Sequence, residues 1–261
     1  MQIKDVTEDT YPGFACCFED WSEDMQRAGA FRRAWFEYME KHGLGAKVAI
    51  DDDGTPCGMI QYIPSKYSFI QGDGIYLITC IWVYGYDKGI GNRQKRGMGK
   101  ALLLCAEEDA KSRGAKGMAA WGLTEPYWMQ SSFYKKFGYA VADTKGTLEL
   151  VWKPFVAGVQ APEWRKPRVK QDTKPDKVLV TAFSNGWCPA NYLTFEAFKK
   201  AASEFAEKVE FSGIDTMRAE DVQEWGITDG IYINGRELGF GPPLSYEDAR
   251  RIITGYLREL G

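Results

Sequence analysis

The chain has 261 residues, long for one average domain and sufficient for two. Hydrophobic residues make up 44% and charged residues 26%, a globular balance that argues against a disordered chain. With 33 Lys and Arg against 36 Asp and Glu, the net charge of -3 lacks the basic excess of a nucleic-acid-binding protein.

Met1–Val6 reads as an opening strand. Phe31, Trp35, Tyr38 and Met39 recur at i, i+4, i+7 and i+8, which predicts an amphipathic helix ending at Gly43. Ala46–Asp51 and Cys57–Ile63 predict a hairpin across Asp52-Asp53-Gly54. Ile75–Tyr84 (IYLITCIWVY) is almost wholly apolar, as expected of a central strand buried on both faces. A glycine-rich basic loop follows, then a helix over Leu102–Arg113, a strand over Ala115–Leu123 and a helix over Trp128–Phe137. Tyr139–Ala142 and Leu148–Val151 read as closing strands.

From Pro154 to Asp176 the chain carries prolines at 154, 162, 167 and 175 and little periodicity, which predicts a linker. The expected division is therefore a domain over 1–153, a linker over 154–176 and a smaller domain over 177–261. Beyond it, the pattern predicts strand Val178–Phe183, a loop with Trp187-Cys188-Pro189, a helix around Thr194–Phe205 and strand Val209–Ile214. A short helix, strand Gly230–Ile233, an Asn234-Gly235 turn and strand Arg236–Phe240 follow. Ser245 and Asp248 form a capping box before a last helix.

The longest apolar stretch without a charge, Gly74–Tyr86, has 13 residues, too few for a membrane-spanning helix. The start, Met1-Gln2-Ile3-Lys4-Asp5, has no apolar core of a secretion signal. Six cysteines form no CxxC pair and His42 is the sole histidine, so no metal site is expected. The expectation is a cytoplasmic protein with reduced thiols, no nucleic-acid or membrane partner, and a monomeric or homodimeric state.

The segment from Tyr84 to Lys100 carries the chemistry. Gly97 and Gly99 open a helix after a buried strand, so consecutive N–H groups and the positive end of the helix dipole face outward. Lys88, Arg93, Lys95, Arg96 and Lys100 add positive charge. Such a loop either cradles phosphate or is a solvated basic turn. It is not a Walker loop, and Leu102 stands where a dinucleotide fingerprint needs its third glycine.

Gln94-Lys95-Arg96-Gly97-Met98-Gly99 resembles the Q/R-x-x-G-x-G/A signature of the GNAT superfamily of N-acetyltransferases. Ser132-Phe133-Tyr134-Lys135-Lys136-Phe137-Gly138-Tyr139 is similar to the same family's F-Y-x-x-x-G-F/Y helix end. The resemblance covers about residues 1–153 and implies a mixed α/β fold with acetyl-CoA as cofactor. It implies that the N–H groups of Lys95, Arg96, Gly97, Met98, Gly99 and Lys100 hold the pyrophosphate, with Gln94 at the motif's head. The pantetheine arm would run along Ile81, Trp82 and Val83, with a backbone N–H near Trp82 or Val83 polarising the thioester carbonyl. Tyr134 matches the tyrosine that protonates the departing thiolate.

No glutamate stands on the strand before the loop, so the general base is open. Asp73 and Glu125 lie near strand ends, where a water-mediated base and a turn or cap residue are both admissible. Cys80 reads as packing, and His42 as a charge complement at a helix end.

The last segment resembles the small YoaP-like, thioredoxin-like domain that follows some GNAT domains. Asn191 replaces the second cysteine of a dithiol motif, which excludes an internal disulfide cycle. Cys188, near a helix start, is expected either as a monothiol of lowered pKa or as a substrate contact in a scaffold without redox turnover. The leading expectation is acetyl transfer to the amine of a small molecule or peptide. The alternatives are a Cys188-dependent thiol protein and a non-catalytic acyl-CoA sensor.

Overall fold

The computed structural model describes residues 1–125, 129–170, 172–239 and 241–260. The chain divides into two compact units, Met1–Gly29 with Phe36–Arg165, and Lys166–Gly261 with Ala30–Trp35. The elements up to Arg165 are β1 (Gln2–Asp5), α1 (Tyr11–Ala15), α2 (Glu23–Glu40), β2 (Gly45–Ile50), β3 (Pro56–Pro64), β4 (Ile70–Gln71), β5 (Ile75–Val83) and α3 (Met98–Ser112). They continue with β6 (Gly117–Leu123), α4 (Ser131–Lys135), β7 (Ala140–Lys145), β8 (Leu148–Pro154) and β9 (Glu163–Trp164).

Seven strands form one mixed sheet in the order β1-β2-β3-β5-β6-β8-β7. Only β5 and β6 run parallel, as a strand–helix–strand crossover through α3 requires. Val48, Met59, Ile60, Leu77, Ile78, Ala119 and Leu150 are buried within it. α3 packs Leu102, Leu103, Ala106 and Ala110 inward, each leucine worth about 1.5–3 kcal/mol of burial. A polar clamp adds to this: Asp109 on α3 accepts from the Tyr62 hydroxyl (2.5 Å) and pairs with Lys47 (3.4 Å) and Arg113 (2.6 Å).

One irregularity decides the shape of the sheet's centre. Gln61 pairs with Cys80 but Tyr62 pairs with Ile78, so Thr79 is an extra residue, a bulge in the middle of β5. The parallel pairing with β6 also stops there, running only from Ile75↔Gly117 to Ile78↔Ala120. The whole of Ile75–Tyr84 was expected to be buried, yet Cys80 to Val83 are only half-buried because no strand covers them on that side.

In α2, Ser22 caps the helix by accepting from the Met25 N–H (3.3 Å). Met25, Ala28, Arg32, Trp35, Phe36 and Met39 form its buried stripe, and Phe31, expected on the apolar face, is exposed because it falls one residue off that stripe. His42 does complement the helix end, its Nδ1 donating to the Tyr38 carbonyl (2.6 Å). α3 begins at Met98, four residues before the apolar periodicity signals it. α4 is shorter than the expected Trp128–Phe137 helix, whose first residue lies outside the described residues.

The proline-rich segment is not a free linker throughout. β9 pairs antiparallel with β4, and the Arg165 N–H donates to the Phe69 carbonyl (3.0 Å), so the chain to Arg165 belongs to the first unit. The local sequence lacks periodicity there because only two residues pair and the partner is itself a two-residue strand.

The second unit contains β10 (Val178–Ser184), α5 (Pro189–Ser203), β11 (Val209–Asp215), α6 (Ala219–Trp225), β12 (Gly230–Ile233), β13 (Arg236–Glu237) and α7 (Tyr246–Glu259). Its sheet runs β11-β10-β12-β13, with β10 parallel to β11 and antiparallel to β12. Val178, Val180 and Ala182 face Phe198 and Ala201 of α5 and Ile253 of α7, so both helices cover one face. Phe183 turns to the other face with Ile227 and Tyr232. Asn234 and Gly235 both take positive φ (50° and 74°), the turn that the Asn-Gly pair predicts. The Ser245–Asp248 capping box is present.

Candidate active site

The bulge at Thr79 leaves a strand edge inside the sheet. The Tyr84 N–H donates to the Cys57 carbonyl of β3 (2.9 Å). Alternation along an antiparallel pair then turns the backbone groups of Trp82 and Cys80 toward β3, and those of Val83, Ile81 and Thr79 toward β6. The Thr79 carbonyl accepts from Trp121 Nε1 (2.8 Å) and the Val83 carbonyl from Gln94 Nε2 (3.1 Å). The N–H groups of Ile81 and Val83 have no backbone partner among the described residues. Such groups are an unfilled strand position, ready to pair with an extended ligand. Between Trp82 and Val83, which the sequence left open, the alternation selects Val83 as the N–H that faces the opening.

The edge leads directly into the N-terminus of α3. Gly97 caps the helix in the left-handed region (φ 83°), where a side chain would be strained, and no cap side chain covers the following N–H groups. Met98, Gly99 and Lys100 therefore present free donors at the positive end of the dipole. A Cβ on Gly97 would meet open space and one on Gly99 only the Phe133 ring at 3.5 Å, so the cradle is open to a ligand. Free donors, an unpaired edge and open space together fit a pyrophosphate with an extended arm attached.

The loop's charge is smaller than the sequence suggests. Arg93 pairs with Asp51 (2.7 Å) and Asp53 (2.8 Å), and Arg96 with the same Asp51 (2.7 Å). These contacts hold both carboxyls below the usual carboxylate range, Asp53 at about 2: backbone N–H groups act first, then the guanidinium of Arg93. Arg93 thus fixes the loop to the β2–β3 turn, while Lys95 and Lys100 carry no ion pair among the described residues.

Tyr134 is fully buried, with its hydroxyl 3.7 Å from Met129 Sδ. Burial, with the Cys80 thiol as a lesser contribution, holds its pKa well above the ordinary phenol. It stays protonated across the physiological range and can only donate. Glu125, by contrast, is exposed in the bend after β6 with no hydrogen bond or ion pair among the described residues. Asp73 is committed to an ion pair with Lys116.

Sequence reasoning missed Glu19. This half-buried carboxyl follows α1, and burial raises its pKa while the Lys88 ammonium and the Tyr86 hydroxyl pull it down. Tyr86 stands 5.9 Å from the Trp82 ring, which places Glu19 next to the open half of β5. Nothing local marks it; two acidic residues after a short helix look like any solvated turn.

In the second unit Cys188 caps α5, followed by Pro189 at the first helical position. Its thiol is not activated. Burial pushes it up to about 11, and the nearby Asp229 carboxylate adds to the shift against the helix-start N–H groups. The expected lowering fails because burial of the thiol outweighs the helix-start N–H groups, with the Asp229 charge adding to it. Asp229 is itself raised to about 6 by burial, although the Asn185 N–H (3.3 Å) and the Trp187 indole donate to it.

The chain belongs to the acetyltransferase (GNAT) family, whose model matches residues 3–139. Among solved structures it is similar to PaiA N-acetyltransferase from Thermoplasma acidophilum in complex with coenzyme A (17% identity, TM-score 0.45, covering 59% of this chain and 98% of that one). It is also similar to the YhbS GNAT N-acetyltransferase of Escherichia coli in complex with CoA (15% identity, TM-score 0.45, 62% and 88% covered). A third similarity is to aminoglycoside 6'-acetyltransferase type Ii (17% identity, TM-score 0.42, 60% and 98% covered). No curated protein is similar enough to the chain to match it. Among the described residues no helix is long and apolar enough to cross a membrane.

Proposed function

We propose that the first unit transfers an acetyl group from acetyl-CoA to an amine by direct attack. The observation that carries this is the unpaired edge at Ile81 and Val83, continuous with the uncapped start of α3. Acetyl-CoA supplies the acetyl group as an activated thioester. Lys95 to Lys100 hold the pyrophosphate through backbone N–H groups, and Ile81 to Val83 hold the pantetheine arm as an added strand. The Val83 N–H donates to the carbonyl oxygen as negative charge builds there, a contact typically worth about 3 kcal/mol of barrier. Tyr134, held protonated, delivers its proton to the departing sulfur. Glu125 lies exposed beyond β6 and is assigned only the water-mediated removal of a proton at the rim.

For the second unit, the β11-β10-β12-β13 order with α5 and α7 on one face supports a thioredoxin-like reading. Cys188, neutral at physiological pH, suits a binding scaffold and not a monothiol redox centre. Thiol release from acetyl-CoA across a panel of primary amines tests the whole assignment. No release with any amine, while calorimetry shows CoA bound, would point instead to an acyl-CoA sensor.

A further inference from the structure

The open end of β5 carries a cluster of aromatic rings in which a buried Tyr84 and a half-buried Trp82 support two exposed ones. Trp82 and Tyr84 stand 5.9 Å and 5.5 Å from Tyr86, and Trp21 meets Tyr86 edge-on at 6.0 Å. Trp21 and Tyr86 remain 40% and 41% exposed, so these rings are presented and not buried. Their positions are fixed. The Trp21 indole donates to the Tyr84 hydroxyl (2.8 Å), which in turn donates to the Lys88 carbonyl (2.9 Å).

A cation already sits in this cluster. Lys88 Nζ lies 3.0 Å above the Trp21 ring, within reach of the Glu19 charge, and Glu19 faces the Tyr86 hydroxyl. An aromatic face on one side and a half-buried carboxylate on the other is the environment that selects an organic ammonium from water. One donor is left over. Trp82 Nε1 is buried with no hydrogen-bond partner among the described residues, on the residue between the two whose N–H groups form the unpaired edge. A molecule seated here would satisfy it with a carbonyl or similar acceptor.

We infer that Trp21, Trp82, Tyr86 and Glu19 form the acceptor site, that it takes a primary alkylammonium borne on a chain with a carbonyl group, and that Lys88 fills it when no acceptor is bound. The inference rests on the acetyl-transfer reading for its consequence, because it sets the amine beside the Val83 N–H. Lys88 is then a competitor tethered to the site, and its displacement accompanies acceptor binding.

Calorimetry on the full chain tests this without turnover. The probe is Nα-acetyl-lysine amide, with Nα-acetyl-norleucine amide as its uncharged counterpart. The lysine probe is expected to bind and the norleucine probe to bind at least about tenfold more weakly. Lys88→Met is expected to tighten the lysine probe roughly threefold to tenfold, and Glu19→Gln and Trp21→Leu each to weaken it by a similar factor. Glu19 and Trp21 are not among the cradle residues, so CoA affinity in those two variants should stay as in the parent, and thermal unfolding of all three variants reports folding. Equal binding of both probes, or no tightening in Lys88→Met, would overturn the inference. Loss of CoA binding by the parent protein would instead overturn the acetyl-transfer reading and leave the ammonium site standing or falling on the probe data alone.

Discussion

Each unit builds a strand, a loop and the start of a helix, and the two starts are opposites in chemistry. At α3 the cap is a glycine, the N–H groups of Met98, Gly99 and Lys100 are free, and Lys95 and Lys100 lie close in sequence. At α5 the cap is Cys188, proline removes the first N–H, and the half-buried carboxyl of Asp229 acts on the thiol. Helix dipoles are alike in the two places, so the dipole does not decide what a helix start does. What decides it is the surroundings: at the first terminus the N–H groups stay free for an anion, and at the second burial, with the Asp229 charge adding to it, suppresses a thiolate.

The sharpest way to break this contrast is at the proton donor of the first site. Tyr134→Phe should lower kcat by about 10²–10⁴-fold while acetyl-CoA affinity holds, since the hydroxyl acts only as the thiolate leaves. Equal single-turnover rates for parent and variant would remove Tyr134 from the chemistry. On the other side, Cys188 should resist alkylation. With a pKa of about 11 its thiolate fraction at neutral pH is roughly a hundredfold below that of a free cysteine, and iodoacetamide kinetics should show that ratio. Asp229→Asn should speed the reaction, because the opposing charge is gone.

Asp229 also makes the second unit's stability depend on pH. Its native pKa of about 6 lies above the unfolded value near 3.8, so its contribution is fully present below pH 3.8 and is lost as pH rises through 6. The loss amounts to roughly 3 kcal/mol, readable in the amide exchange of β10 and β12 across that window. Asp229→Asn should flatten this slope; an unchanged slope would show that the carboxyl is hydrated. The smallest effect sharpens the first site. Gly99→Asp adds an acid in the first turn of α3, where the dipole favours it and where a Cβ meets only Phe133. Thermal stability should stay level or rise slightly while CoA affinity falls about tenfold or more. Unchanged CoA affinity would show that phosphate does not sit there.

Local signals made the first site half legible. Glycines at 97 and 99, the apolar strand before them and the Phe133-Tyr134 helix all lie within short stretches, so α3, β6 and the loop could be placed from the sequence. The unpaired N–H groups at Ile81 and Val83 could be expected only by resemblance, because they arise from how β5 pairs with strands distant in sequence and not from its own residues. Asp51 was read as a strand end and Asp53 as part of a hairpin turn, and their grip on Arg93 spans 42 and 40 positions. Glu19 and Asp229 escaped for one reason: burial of a carboxyl depends on what folds over it, not on its neighbours in sequence. Phe31 failed in the other direction, since two stripes one residue apart satisfy nearly the same periodicity.

The bulge at Thr79 means that the opening is encoded in a number of residues more than in their identity. Between Ile78 and Cys80 the strand is one residue longer than its partner, and side chains alternate with a period of two. Deleting Thr79 would leave Cys80 to Val83 opposite the same β3 residues, Gln61 to Gly58, and remove the extra residue at which β5 parts from β6. A substitution at the same place keeps the count and so keeps the opening. Tolerance at this position should therefore be generous to exchange and closed to a change in length, the reverse of what is usual for a loop.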